Sequence, residues 1–149
     1  MICKRLCMIS AYLFLAGAPL LPGEAAESQD VIDYRMHIMN TLNEQSEALG
    51  QILTGEIPDD NFSAHMQVIA LTASIALKAF EPKVPGGNSK ADVWKNWADF
   101  AKRMNDFSQK TASAAKLSRE QGKDAALGVI VDALSCKGCH ELYRDEKKR

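Results

Sequence analysis

Apolar residues in this chain recur every third or fourth position, stretch after stretch, and no segment of any length alternates. That period belongs to helices with one buried face, whereas a half-buried strand needs a period of two. In "DVIDYRMHIMNTLNEQSEALGQIL" the stripe takes in Val31, Arg35, Ile38, Met39, Leu42, Leu49, Ile52 and Leu53, and Thr54-Gly55 with Pro58 stops it. A second run carries Phe62, Met66, Ile69, Ala73, Leu77 and Phe80 on one face. The segment "EPKVPGGNSK" then breaks the pattern with two prolines and two glycines. A third run holds Val93, Trp97, Phe100, Met104, Phe107 and Thr111, and a last one, from Gly122, sets Leu127, Ile130, Val131 and Leu134 in phase with a pair of cysteines. Four one-faced helices with short and medium connections predict an all-α, antiparallel four-helix bundle.

The first 25 residues stand outside that bundle. They have a basic start at Lys4 and Arg5, an apolar run from Leu6 to about Leu21, and small residues Gly23 and Ala25 before a cleavage point. The run is short and ends in Pro19, Pro22 and Gly23, so it reads as a secretory signal rather than a membrane span. The expectation is a mature domain of residues 26–149 in the periplasm, with no stable membrane insertion after cleavage. Losing Lys4, Arg5 and Glu24 takes the net charge from −1 to −2, which offers no general attraction to nucleic acid.

Cleavage also removes Cys3 and Cys7, leaving Cys136 and Cys139. Three residues apart on an exported helix, they make a poor structural staple. A structural zinc needs a second ligand pair, and His37 and His65 lie far upstream without a cysteine between them. A dithiol redox motif needs a strand before its helix, and the chain has none to offer. The remaining reading is "CKGCH" as the C-x-x-C-H attachment signature of c-type haem. Each thiol can add to a vinyl group of the porphyrin, and His140 can supply an axial nitrogen to the iron.

Position narrows the family. Three stretches, "VIDYRMHIM", "AFEPKVPGGNSKADVWKNWADF" and "CKGCHELYR", fall in that order, and the chain resembles the cytochrome c′ family over nearly all of the mature domain. The resemblance implies one thioether-linked haem c per chain on the C-terminal helix. Cys136 and Cys139 match the attachment positions and His140 the proximal ligand. Arg144 matches the basic residue one turn past that histidine, and Arg35 the first-helix arginine near the haem propionates. An arginine in phase with an apolar stripe also asks on its own account for a buried anion. Tyr143 and Trp97 read as packing.

Four residues after Arg35 stands Met39, where the high-spin members hold an apolar residue such as leucine. A thioether there can ligate iron, and a His/Met pair suits electron transfer. The sequence therefore leads to a one-electron carrier with low-spin His140/Met39 iron, most like the methionine-ligated branch. The alternative is a five-coordinate, high-spin protein that binds or scavenges small gases such as NO. Met36 is a rival ligand only about 60° around the helix, at the stripe's edge beside Ile32. His37 points away from the stripe, and His65 reads as a rim histidine. No acid–base pair or nucleophile marks an enzyme. Redox proteins are the expected partners, and related bundles often pair through their first two helices, which leaves monomer and homodimer both open.

Overall fold

A computed structural model describes residues 22–145. The signal segment, up to residue 21, lies outside the described residues, as do residues 146–149. Helix α1 spans Pro22–Leu53, α2 Phe62–Ala76, α3 Asp92–Lys95, α4 Trp97–Gln121, α5 Lys123–Ala133 and α6 Lys137–Tyr143. Single 3₁₀ turns precede α2 at Asp59–Asn61 and extend it through Leu77–Phe80. The described residues contain no strand, only isolated bridges.

The helix ends follow from local chemistry. Gly55, at φ 79°, takes the left-handed position after α1. There Glu56 N donates to Gln51 O at 3.0 Å and Gly55 N to Ile52 O at 3.2 Å. That pair of bonds satisfies carbonyls a helix end leaves open. Gly122, at φ 86°, is the entire connection between α4 and α5.

Helix α1 packs on α2, α2 on α4, and α4 on α5, which gives the expected four-helix bundle. Its core divides in two. Leu42, Leu49, Ile52, Phe62, Met66, Ile69, Ala73, Ala114, Ala115, Ala126 and Ile130 form one cluster. Ile38, Ala76, Ala79, Phe80, Val93, Phe100, Met104 and Tyr143 form the other, with Trp94, Trp97 and Cys139 against it. The expected stripe of the second run enters these clusters residue for residue, and so do most of those of the first and third. Leu53 on α1 is left 39% exposed where the helix ends, and the third run is broken at Asn96, which puts Val93 on α3.

The last segment differs from expectation. It is two helices, not one: Cys136 N donates to Leu134 O at 2.7 Å and Ser135 Oγ to Asp132 O at 3.0 Å. A serine hydroxyl competing for a backbone carbonyl is a known way to interrupt a helix. With the break, the phase of α5 is independent of the cysteines. It buries Ala126, Ile130 and Ala133, and leaves Val131 at 73% exposure.

Candidate functional site

Helix α6 is a seven-residue segment that touches α3 and α4. Cys136 caps its start, and His140 N donates to Cys136 O at 3.0 Å, so one turn of helix places the cysteines and the histidine together. Both thiols are free. Burial pushes each above the ordinary thiol value; at Cys139 the Arg103 charge partly opposes this. Both are therefore neutral thiols near pH 7.

The half-buried His140 imidazole is held below its usual value, first by burial and then by the charge of Arg144, whose Nη1 lies 3.4 Å from Nδ1. A neutral imidazole is the form that ligates metals. Cys139 packs against the aromatic cluster of Phe80, Phe100, Tyr143, Trp94 and Trp97. Phe100 is its hub, with ring centroids 4.9 Å from Phe80, 5.8 Å from Trp97 and 5.2 Å from Tyr143.

Met39 is half-buried and packs against both core clusters, the one that receives Cys139 included. Met36 is 40% exposed, His37 is exposed, and the half-buried His65 pairs through Nδ1 with Gln45 Oε1 at 2.8 Å.

Arg35 is buried at 2% exposure. Its Nη1 donates to Val84 O at 2.7 Å and its Nη2 to Gly86 O at 3.3 Å. The guanidinium carbon sits 5.4 Å from the Phe80 centroid and 5.2 Å from that of Trp94. None of the ion pairs among the described residues involves Arg35. A buried cation with carbonyls and ring faces but no carboxylate suits an anionic group brought in from outside the chain. This is the structure's own test of haem, whose propionates are such anions. Paired thiols, a neutral imidazole and an aromatic wall fit the rest of that group.

Two functional candidates were not singled out from the sequence. Tyr143 Oη donates to Asp99 Oδ2 at 2.6 Å, and Arg103 Nε donates to the same oxygen at 2.6 Å. The Asp99/Arg103 spacing of four is legible on a helix. The tyrosine that joins them, from another helix, is not. A separate groove of about 320 Å³ is lined by Asp30, Val31, Tyr34, Lys78, Ala79 and Pro82, and shares no residue with the motif.

Comparison with known proteins supplies a family and a fold. A protein-family model described as Cytochrome C′ matches residues 30–144. The cytochrome c′ of Alcaligenes xylosoxydans xylosoxydans is 25% identical over 127 residues, covering 82% of this chain and 98% of that protein. Among solved structures, cytochrome c prime from Shewanella frigidimarina superposes with a TM-score of 0.73 at 25% identity, covering 80% of this chain and 97% of that one. A nitrosyl complex of a variant of cytochrome c prime from Alcaligenes xylosoxidans also gives 0.73, at 21% identity, covering 80% of this chain and 97% of that one.

Proposed function

Since the chain belongs to the cytochrome c′ family, we propose that Cys136, Cys139 and His140 would hold its haem c, and that the haem iron would bind small gases such as nitric oxide. Members of this family carry covalently attached haem c, and act as electron carriers or gas binders. Of the two readings reached from the sequence, this is the one expected there as the alternative. The family match and the nitrosyl complex of a fold relative support it over the His/Met carrier.

Bound there, haem would supply an iron able to exchange one electron and to bind a small diatomic gas. The chain's residues do the rest. Cys136 and Cys139 offer neutral thiols one turn apart. His140 offers a neutral imidazole, with the Arg144 charge opposing its protonation. Arg35 offers a propionate a buried cation that has carbonyls and ring faces but no carboxylate for partners. Phe80, Phe100, Trp94 and Trp97 offer an apolar, aromatic neighbourhood beside Cys139. The observation that carries the reading is that one turn of α6 brings two free thiols and a neutral histidine together, with Cys139 seated against this aromatic cluster.

One observation favours a second reading, the low-spin carrier: Met39 lies one turn past Arg35, half-buried, against the cluster that receives Cys139. The same proposal puts the protein in the periplasm, on the strength of its leader, with redox proteins as partners. Monomer and homodimer remain its two assemblies. It assigns binding and electron exchange, not turnover of a substrate.

Optical and electron paramagnetic resonance spectra of the purified protein, ferric and ferrous, decide between the readings. A high-spin, five-coordinate protein whose colour stays with the polypeptide through acid–acetone extraction is the expected result. Haem that extracts freely would sink the covalent assignment. Low-spin spectra in both states, lost in Met39→Ala but kept in Met36→Ala, would transfer the function to the carrier reading.

A further inference from the structure

The loop at 84–90 is gripped from two sides. On the α1 side it accepts both hydrogen bonds of Arg35, at Val84 and Gly86. Gly86 (φ 129°) and Gly87 (φ 62°) lie so close to α1 that a Cβ would stand 2.8 Å from Ile32 Cδ1 at the first and 2.9 Å from Ile32 Cγ2 at the second. Met36 Sδ is 3.7 Å from the Gly87 position.

On the α6 side, Lys90 N donates to Tyr143 O at 3.0 Å and Asp145 N to Asn88 O at 2.9 Å. Lys90 Nζ donates to Glu141 O at 2.9 Å, and Ser89 bridges to Arg144. Both anchor points adjoin the candidate ligands: Arg35 is one turn before Met39, and Arg144 one turn after His140.

We propose that loop 84–90 is a positioning strap: it sets the separation of α1 and α6, and through it what stands opposite His140. The inference rests on the reading that His140 is the axial ligand. Its physical basis is thickness. With two glycines against Ile32, backbone meets side chain with nothing between, so α1 sits as close to the loop as a chain allows. One added methyl must move Ile32 or the loop by some tenths of an ångström. Gly87 is exposed and Ile32 half-buried, so what carries such a shift is the loop's backbone bonds to Arg35 and α6, and coordination geometry responds to displacements of about 0.5 Å. Gly87 and Ile32 are thus positioning residues that touch neither the iron nor its ligands.

The test is a double-mutant cycle on the full-length haem-loaded protein. It compares Gly87→Ala, Ile32→Ala and the pair, with Gly50→Ala as a helical control whose Cβ meets nothing within 4 Å. Readouts are the ferric spin-state distribution, the carbon monoxide association rate and the melting temperature. Each single change at the contact is expected to alter the association rate several-fold and shift the spin-state mixture, with the pair returning toward wild type and the control matching wild type in both rate and spectrum. The left-handed strain at residue 87 is common to the single and double variants, so the recovery isolates the steric push. Lower melting temperatures with wild-type spectra and rates throughout would overturn the strap. If Gly87→Ala yields no loaded protein, Ile32→Ala decides alone: an altered rate supports the proposal, and a wild-type rate and spectrum overturn it. Wild-type protein without covalent haem counts against the functional reading instead.

Discussion

Tyr143 and Asp99 are joined by a 2.6 Å hydrogen bond that ties the motif helix α6 to α4. The tyrosine sits three residues after His140, buried, with its ring edge-on to Phe100 at 79°. Asp99 is held from its own helix by Arg103. The contact therefore combines an apolar ring with a directed polar bond, and the two can be removed separately.

Tyr143→Phe keeps the ring and loses the donor. A modest fall in the urea midpoint is expected. Tyr143→Ala removes both, and should cost about 3 kcal/mol or more, as aromatic truncations in a core do. Chemical denaturation of both variants checks the ranking; equal losses would mean that the hydroxyl carries the contact.

Asp99 gives a pH signature. Arg103 first, and then Tyr143, hold its carboxyl below the usual carboxylate value. A carboxyl whose folded value is depressed contributes stability above its unfolded value of about 3.9, lost as pH falls through the lower folded one. Asp99→Asn should therefore be less stable than wild type at pH 7, and the two should converge in acid. Urea midpoints followed from pH 7 into acid measure the gap; a gap that does not narrow as pH falls below about 4 would contradict the assignment.

Ile69 is fully buried in the first cluster, whereas Leu71, two residues on, is 70% exposed. Ile69→Ala should cost about 2–5 kcal/mol through lost transfer energy and the cavity left behind. Leu71→Ala should fall within about 0.5 kcal/mol of wild type. Thermal unfolding of the pair tests the helix phase directly.

Gly50 and Gly122 both have open space where a Cβ would go, but Gly122 has φ 86°. Gly50→Ala in α1 should stabilise by about 0.5–1 kcal/mol, since it lowers the entropy of the unfolded chain without strain. Gly122→Ala should destabilise by at least a comparable amount, because an L residue there is strained. Opposite shifts in melting temperature are the expected outcome.

The helical period located three of the four stripes well because each long helix keeps one phase from end to end. Phe62, Met66, Ile69, Ala73 and Phe80 were legible for that reason. Val131 was misplaced because its phase was carried back from Cys136 across a break that a single serine hydrogen bond makes. The motif itself is local and could be read directly. Arg35 was legible as an anomaly, a cation in an apolar stripe, while its actual partners Val84 and Gly86 are backbone carbonyls that no residue type advertises. The Asp99–Tyr143 bond was hidden because it spans 44 residues.

The division of the core has a consequence for biogenesis. Every buried member of the first cluster, from Leu42 to Ile130, precedes Cys136 in the chain. The second cluster cannot close until Tyr143 arrives. A polypeptide that folds from its N-terminus thus has about half of its interior ready to collapse before the cysteines join it. The last turn of α6 is then the single piece the second cluster still lacks, and a chain cut short before Tyr143 would keep one half of its interior and lose the keystone of the other.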